Sequence, residues 1–320
     1  MKLNVVGLQS GPNGRNESYH NRIEQLSAQF DKVITSNPHI DLIVFPELMT
    51  VPYFCKFNDN RFFELAEPLD GPTFTYFAKK AREANVNIII TIFEKSFSNE
   101  ASIYYNTAIV ISNDGEMIGK YRKTHIPKLS LSTLKTDETI YFSRGTDYPV
   151  FDIKGFKIGI LICFDRSFPE ASRSLALQGA DVIIIPTAAA GEERKNVWLS
   201  ECQARARENG LYVIGVNKAG VETLVNQEVM NSSTFFGLSC AFDPSGTEIG
   251  GHLGSESWKS ISVEVDKSKI NKCRERLNFL DFLQGDLYFV NSEEIQQIGN
   301  FKMKQETVPL FGPKGAVFID

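Results

Sequence analysis

Short runs of aliphatic and β-branched residues recur along this chain, separated by longer stretches of helical periodicity. Leu3–Gln9, Leu42–Phe45, Ile88–Phe93, Phe156–Ile162, Val182–Ile185 and Leu211–Val216 read as strands. Tyr19–Ile34, Thr73–Glu83, Glu170–Gln178 and Glu193–Glu208 read as helices, with Pro72 as a start signal for the second. Strand, helix and strand in this order predict mixed α/β layering. Ala108–Ile111 and Met117–Tyr121 flank Ser112-Asn113-Asp114-Gly115, which is hairpin chemistry. The stretch Phe242–Gly250 echoes Ile111–Gly119, each an apolar run, a polar turn with glycine, and Ile-Gly. The simpler reading of that echo is two independent hairpins; the other is a pseudo-symmetric pair of sheets.

A chain of 320 residues with 42% hydrophobic content buries a substantial core. No low-complexity linker divides it, so one domain is expected over residues 1–290, followed by a C-terminal extension, 291–320. The net charge of -5, with both signs mixed, leaves no basic stripe for a nucleic acid. No apolar run is long enough to span a membrane, and the N-terminus is too poor in apolar residues for a secretion signal. The five cysteines are scattered without Cys-x-x-Cys spacing, which argues against a disulfide framework or zinc and for a reducing cytoplasm.

Three polar residues stand where apolar strands end: Glu47 after Leu42–Phe45, Lys123 after Met117–Tyr121, and Cys163 after Phe156–Ile162. Ligand sites in open α/β sheets gather at the carboxyl ends of strands. An ammonium favours a neighbouring thiolate, and a carboxylate can take the thiol proton. The same ammonium can stabilise an oxyanion, and the carboxylate can return its proton to a leaving nitrogen. Each residue also has a plainer reading. Cys163 reads equally as a core cysteine, Glu47 as a helix-start carboxylate, and Lys123 as part of a solvated basic turn.

Taken as a set, these residues resemble the nitrilase superfamily of carbon–nitrogen hydrolases. Phe45-Pro46-Glu47-Leu48 is similar to its glutamate motif, Tyr121–Pro127 to its lysine motif, and Ile162–Glu170 to its cysteine motif. The order and approximate spacing agree as well. The resemblance implies a four-layer α-β-β-α sandwich and pairing into homodimers or larger homo-oligomers. It implies no metal or organic cofactor, and a small amide or carbamoyl substrate. It further implies a second glutamate between lysine and cysteine, a place that Glu138 fits; on its own Glu138 reads as a surface loop acid.

Stretches such as Pro52-Tyr53-Phe54-Cys55 and Glu64–Thr73 resemble the N-carbamoyl amidohydrolases, the N-carbamoylputrescine amidases especially. Those usually carry Gln-Trp after the motif aspartate, where this chain has Arg166-Ser167. Arginine there resembles the N-carbamoyl-D-amino-acid hydrolases, which however carry a histidine where this chain has Thr136. Arg166 points to an anionic substrate, since a guanidinium matches a carboxylate in two parallel hydrogen bonds; its structural alternative is an ion pair with Asp165 or Glu170. Arg166, His125, Phe164, Thr187 and Tyr53 are therefore the expected substrate contacts. The expected reaction is hydrolysis of an N-carbamoyl amino acid or amine through a thioester on Cys163. An aliphatic or ω-amidase is the alternative within this chemistry, and a thiol acyltransferase or an inactive assembly protein the alternative outside it.

Overall fold

The computed structural model describes residues 1–14, 17–37, 39–98, 101–130, 135–226 and 229–284. The expected extension at 291–320 lies outside them. The first part of the chain runs β1 (Lys2–Gln9), α1 (Tyr19–Ser36), β2 (Leu42–Val44), α2 (Pro72–Ala84), β3 (Asn87–Ser98), β4 (Ala101–Ile111) and β5 (Met117–Arg122). A small hairpin of β6 (Lys128–Ser130) and β7 (Lys135–Asp137) follows. Next come β8 (Val150–Ile153), β9 (Phe156–Ile160), α3 (Pro169–Leu177), β10 (Val182–Thr187), α4 (Glu192–Asn209) and β11 (Tyr212–Asn217). The described chain closes with β12 (Ala219–Asn226), β13 (Val229–Phe236), β14 (Cys240–Phe242), β15 (Lys259–Asp266) and α5 (Lys267–Arg276).

The strands build two main sheets, ordered β15-β1-β2-β3-β4-β5 and β14-β11-β10-β9-β8. In the first, β1, β2 and β3 are parallel and β4 turns back antiparallel; in the second, β9, β10 and β11 are parallel and β14 turns back in the same way. The strand period of two sorts each strand's side chains into two cores. Val182 and Ile184 of β10 lie between the sheets with Leu3, Val5 and Val44, whereas Ile183 and Ile185 pack against Ala171, Leu175, Trp198 and Cys202 of α3 and α4. On the other side, Val6, Leu8 and Ile43 face Ile23, Leu26 and Phe30 of α1 and Phe77 of α2. Helices, sheet, sheet and helices give the four-layer α-β-β-α sandwich, with each fully buried aliphatic or Phe side chain contributing about 1.5–3 kcal/mol. Gly7 marks a close approach of the sheets: a Cβ there would sit 2.6 Å from Val216 Cγ2.

Local signals explain the element ends. Ser18 caps α1 by accepting from the Asn21 backbone N–H at 3.2 Å, and α2 starts on Pro72 and ends on Asn85 in the left-handed conformation. The helices expected from periodicity all form. The strand expected to reach Ile162 stops at Ile160, and Cys163 opens a 3-10 turn. The echo between Ile111–Gly119 and Phe242–Gly250 falls on equivalent places. β4 and β14 are each the antiparallel neighbour of the third parallel strand, and each leads into a glycine turn. The reading as two unrelated hairpins therefore gives way to a pseudo-symmetric pair of sheets. No helix among the described residues is long and apolar enough to cross a membrane.

Candidate active site

Glu47, Lys123 and Glu138 meet in the interior. Glu47 sits just past β2, in a turn where Leu48 takes a left-handed φ of 47°. Lys123 sits just past β5, where its backbone N–H donates to Asn106 O of β4 at 2.9 Å. Glu138 opens a one-turn 3-10 helix after β7 and donates its backbone N–H to Pro127 O. The Lys123 Nζ donates to Glu47 Oε1 at 2.8 Å, and to Glu138 Oε2 and Oε1 at 2.8 and 3.1 Å. All three side chains are buried.

Both carboxylates are fixed on their remaining faces. Glu47 Oε1 also accepts from Asn106 Nδ2, and Glu47 Oε2 accepts from the Ala188 backbone N–H, each at 2.8 Å. Ala188 follows β10, so Glu47 is held by both sheets. Glu138 Oε1 accepts from the Tyr53 hydroxyl at 2.7 Å, and Tyr53 Oη lies 3.1 Å from Thr136 Oγ1. Burial pushes Glu138 up to about 7 despite the opposing Lys123. Burial would lower Lys123, but Glu138 and Glu47 outweigh it and hold the ammonium well above its ordinary range. The ammonium is shared by two carboxyl groups.

Cys163 adopts φ 50°, a left-handed conformation that L side chains rarely take. The turn is pinned by Asp165, whose carboxylate accepts from the Ile162 backbone N–H (2.9 Å), the Tyr121 hydroxyl (2.7 Å), the Thr124 hydroxyl (3.1 Å) and the His125 backbone N–H (2.9 Å). Burial would raise Asp165, yet its hydrogen bond with His125, the charges of His125 and Lys123 and the Tyr121 hydroxyl keep it below the usual carboxylate value. The Cys163 thiol is pushed up to about 12, first by burial and then by the negative charge of Glu47; Lys123 and Arg166 pull the other way. A resting thiol of this kind keeps its proton until a base removes it, and Glu47 is the strongest negative influence on it.

Cys163, Glu138 and Tyr53 line one pocket with Phe164 and Arg194, and its remaining wall is Ala188–Ala190, Pro127, Leu129, Thr136 and Ser233. The sequence expectations sort against this lining. Tyr53 and Phe164 reach it. His125 does not: its Nδ1 lies 2.8 Å from Asp165 Oδ1, and its ring stacks on Phe168 with centroids 3.7 Å apart, so it braces the cysteine turn. Thr187 turns its hydroxyl back to Ile185 O at 3.1 Å, leaving the wall to the alanines after it. Arg166 is also absent from the lining. Its guanidinium is fully buried, with Nε 2.9 Å from Glu201 Oε2, Nη1 donating to Cys163 O at 2.7 Å, and its face 4.6 Å from the Trp198 ring. The expected Arg166 contact with substrate is thus corrected, and so is its alternative pairing, since Glu201 rather than Asp165 or Glu170 takes the charge.

Asn106, the Ala188 backbone N–H and Arg194 belong to the site without having been expected. Asn106 lies inside an apolar strand, where a buried amide paired with a buried carboxylate is the signal. Arg194 lies in the first turn of α4, where position alone gives no sign that it faces the pocket. Its Nη2 donates to Ser167 Oγ at 2.8 Å and lies 3.6 Å from Glu201 Oε2, and its guanidinium carbon is 5.4 Å from the Phe164 ring centre. Among the described residues no group of three or more His, Cys, Asp or Glu side chains is placed to hold a metal ion.

The α-β-β-α sandwich with a buried Glu, Lys and Glu set beside a cysteine turn defines a class of carbon–nitrogen hydrolase. The carbon-nitrogen hydrolase family model matches residues 2–275, and the chain belongs to that family, whose members act on carbon–nitrogen bonds other than peptide bonds. It is 32% identical over 290 residues to a probable nitrilase of Schizosaccharomyces pombe, covering 90% of this chain and 98% of the relative. It is 33% identical over 258 residues to the N-carbamoylputrescine amidase of Solanum lycopersicum, covering 78% and 83%. Its fold superposes on a carbon-nitrogen hydrolase crystal structure from Helicobacter pylori G27 with TM-score 0.81 and 27% identity, covering 90% of this chain and 97% of the other.

Proposed function

We propose that the chain is an N-carbamoyl amidohydrolase acting on a ureido compound with an anionic tail, with Cys163 as nucleophile, Glu47 as general base and acid, and Lys123 as oxyanion stabiliser. Glu47 takes the thiol proton as sulfur bonds to the carbonyl carbon. The carbonyl electrons move onto oxygen, where the Lys123 ammonium, placed by its hydrogen bonds to Glu47 and Glu138, supplies the countercharge and turns an N–H from a carboxylate to the oxyanion. Glu47 then delivers the proton to the departing nitrogen. Ammonia leaves, and a thiocarbamate ester remains on Cys163. Water attacks the ester with Glu47 again accepting the proton, and the sulfur departs as thiol. The carbamic acid formed breaks down to carbon dioxide and the free amine. Glu138 and Tyr53 support this cycle by fixing Lys123 from its other side.

The observation that carries the substrate reading is Arg194 on the pocket wall, beside the uncharged surface of Phe164 and the alanines. Likeness to an N-carbamoylputrescine amidase supports the carbamoyl group; the cationic Arg194 weighs against a cationic tail. The test is ammonia release from a panel of N-carbamoyl amino acids, N-carbamoyl diamines and simple aliphatic amides, with Arg194→Ala alongside wild type. A charge-assisted hydrogen bond contributes about 1.5–3 kcal/mol, so the variant should raise KM for the carbamoyl acid about 10- to 150-fold with little change in kcat. Better wild-type turnover of a carbamoyl diamine would reject the anionic reading. Better turnover of a simple amide would replace it with an amidase.

A further inference from the structure

A second buried charge cluster lies behind Glu47, and the proposed reaction makes no use of it. Arg22 of α1, Lys218 between β11 and β12, and Glu222 of β12 are all buried. Buried charges ordinarily pair with one another. Among the ion pairs of the described residues none joins these three. Each is spent on the backbone. Lys218 Nζ donates to Leu48 O at 2.9 Å and Val51 O at 3.2 Å. Arg22 Nε donates to Met49 O at 2.8 Å. Glu222 Oε1 accepts from the Tyr53 backbone N–H at 2.7 Å, and Oε2 from the Asn13 backbone N–H at 2.9 Å. Asn13 Nδ2 in turn reaches Thr50 O at 3.4 Å.

Arg22 Nη1 and Nη2 donate to Pro12 O and Gly11 O at 3.2 and 3.0 Å, and most of the other bonds converge on one stretch, Leu48–Tyr53. It begins at the residue after the base, with a backbone held in the left-handed region, and ends at the tyrosine that fixes Glu138. No helix or strand spans it, and its backbone is tied to other backbone only loosely, by Val51 N–H to Leu48 O at 3.3 Å and Met49 N–H to Thr91 O of β3 at 3.4 Å. Burial pulls Lys218 down to about 8, against the opposing charge of Glu222, which marks the cost of placing an ammonium there. An apolar filling would stabilise the fold without that cost; what it would lack is a directed grip on successive peptide groups.

We propose that Lys218, with Glu222 and Arg22, is a positioning residue for the reaction: it holds the Leu48–Tyr53 turn so that Glu47 is aimed at the Cys163 thiol and Tyr53 at Glu138. This rests on the reading of Glu47 as the base. Removing the grip should leave the substrate pocket in place, because Lys218 does not line it. It should misplace the base, and displacements of about 1 Å cost on the order of 100-fold in rate.

The experiment compares Lys218→Met with Glu47→Gln in the full chain, and uses Glu222→Gln in the same role where Lys218→Met does not fold. Kinetics on the best substrate of the panel are read with the pH profile of Cys163 alkylation by iodoacetamide. The expected result is a kcat reduced at least ~10-fold with KM within about threefold, and an alkylation profile displaced in the same direction as that of Glu47→Gln. A kcat within about twofold and an alkylation profile unchanged from wild type, while Glu47→Gln loses activity, would overturn the positioning role alone. Full activity in Glu47→Gln would overturn both this role and the assignment of the base.

Discussion

Replacing Lys123 by Met removes the charge and keeps most of the volume, and its effect on stability is set by what stays behind. Glu47 and Glu138 are both buried, and Lys123 makes three hydrogen bonds to them. Breaking a buried pair by removing one partner costs about 3–5 kcal/mol. At about 2–4 °C per kcal/mol for domains approaching this size, melting should fall by about 6–20 °C at pH 8. The loss must depend on pH. Glu138 stands at about 7 even with the ammonium present, well above its unfolded value, and without the ammonium it rises further. A carboxyl whose folded pKa is raised contributes stability that is present below the unfolded value and lost as pH rises through the folded one. The gap between variant and wild type should therefore be smallest near pH 5, where Glu138 is protonated in both, and widen as pH rises past about 7, where the wild type gives up that proton beside the ammonium and the variant must keep it or bury an unpaired charge. Thermal denaturation followed by circular dichroism at the two pH values measures it. Adding Glu138→Gln to the variant should recover part of the melting temperature at pH 8. An equal gap at both pH values, or a gap of less than a few degrees at pH 8, would refute the claim that Lys123 is held by ionised, desolvated carboxylates.

Three further outcomes follow from the site. Cys163→Ala should abolish turnover and the covalent adduct that mass spectrometry detects in quenched wild-type reactions; in the intact site Glu47→Gln should shift the alkylation midpoint of Cys163 downward, because the carboxylate pushes that thiol up, and an upward shift would contradict the influence assigned to Glu47. Arg166→Met should lower the melting temperature by several degrees, since it leaves the Cys163 carbonyl without its donor and Glu201 with only the more distant Arg194 at 3.6 Å, while KM for an anionic substrate stays within about threefold; a tenfold rise in KM would put Arg166 back in the pocket.

The sequence made the layers legible because each layer is written in short-range signals. β-branched runs mark the parallel strands, and Pro72 marks the start of α2. Glu47, Lys123 and Cys163 were legible as motifs at strand ends and Glu138 only through the family resemblance, because no spacing along the chain encodes their separation. What stayed hidden depends on contacts between distant segments. β15 pairs antiparallel with β1 along Lys2–Gln9, a partnership some 250 residues apart in sequence that no local pattern announces. The β12–β13 hairpin has Val221, Val229 and Met230 exposed, so it lacks the apolar and polar alternation that reveals a half-buried strand. Arg166, the expected substrate contact, is buried away from the pocket, and Arg194, of which nothing was expected, lines it. Which of two nearby guanidiniums is buried is decided by Trp198 and Glu201 of α4.

Glu47 accepts from Asn106 and Lys123 of the first sheet and from Ala188 at the end of a strand of the second. Neither half of the chain thus carries a reactive assembly by itself. A ribosome releases the carboxylate and the ammonium first, already matched to one another and harmless, and the thiol only later. Until the second sheet docks, Cys163 has neither its fixed turn against Asp165 and Tyr121 nor a carboxylate to take its proton. The hydrolytic centre therefore comes into being in the same event that closes the sandwich, and an unfinished chain carries its cysteine without the carboxylate and ammonium that would put it to use.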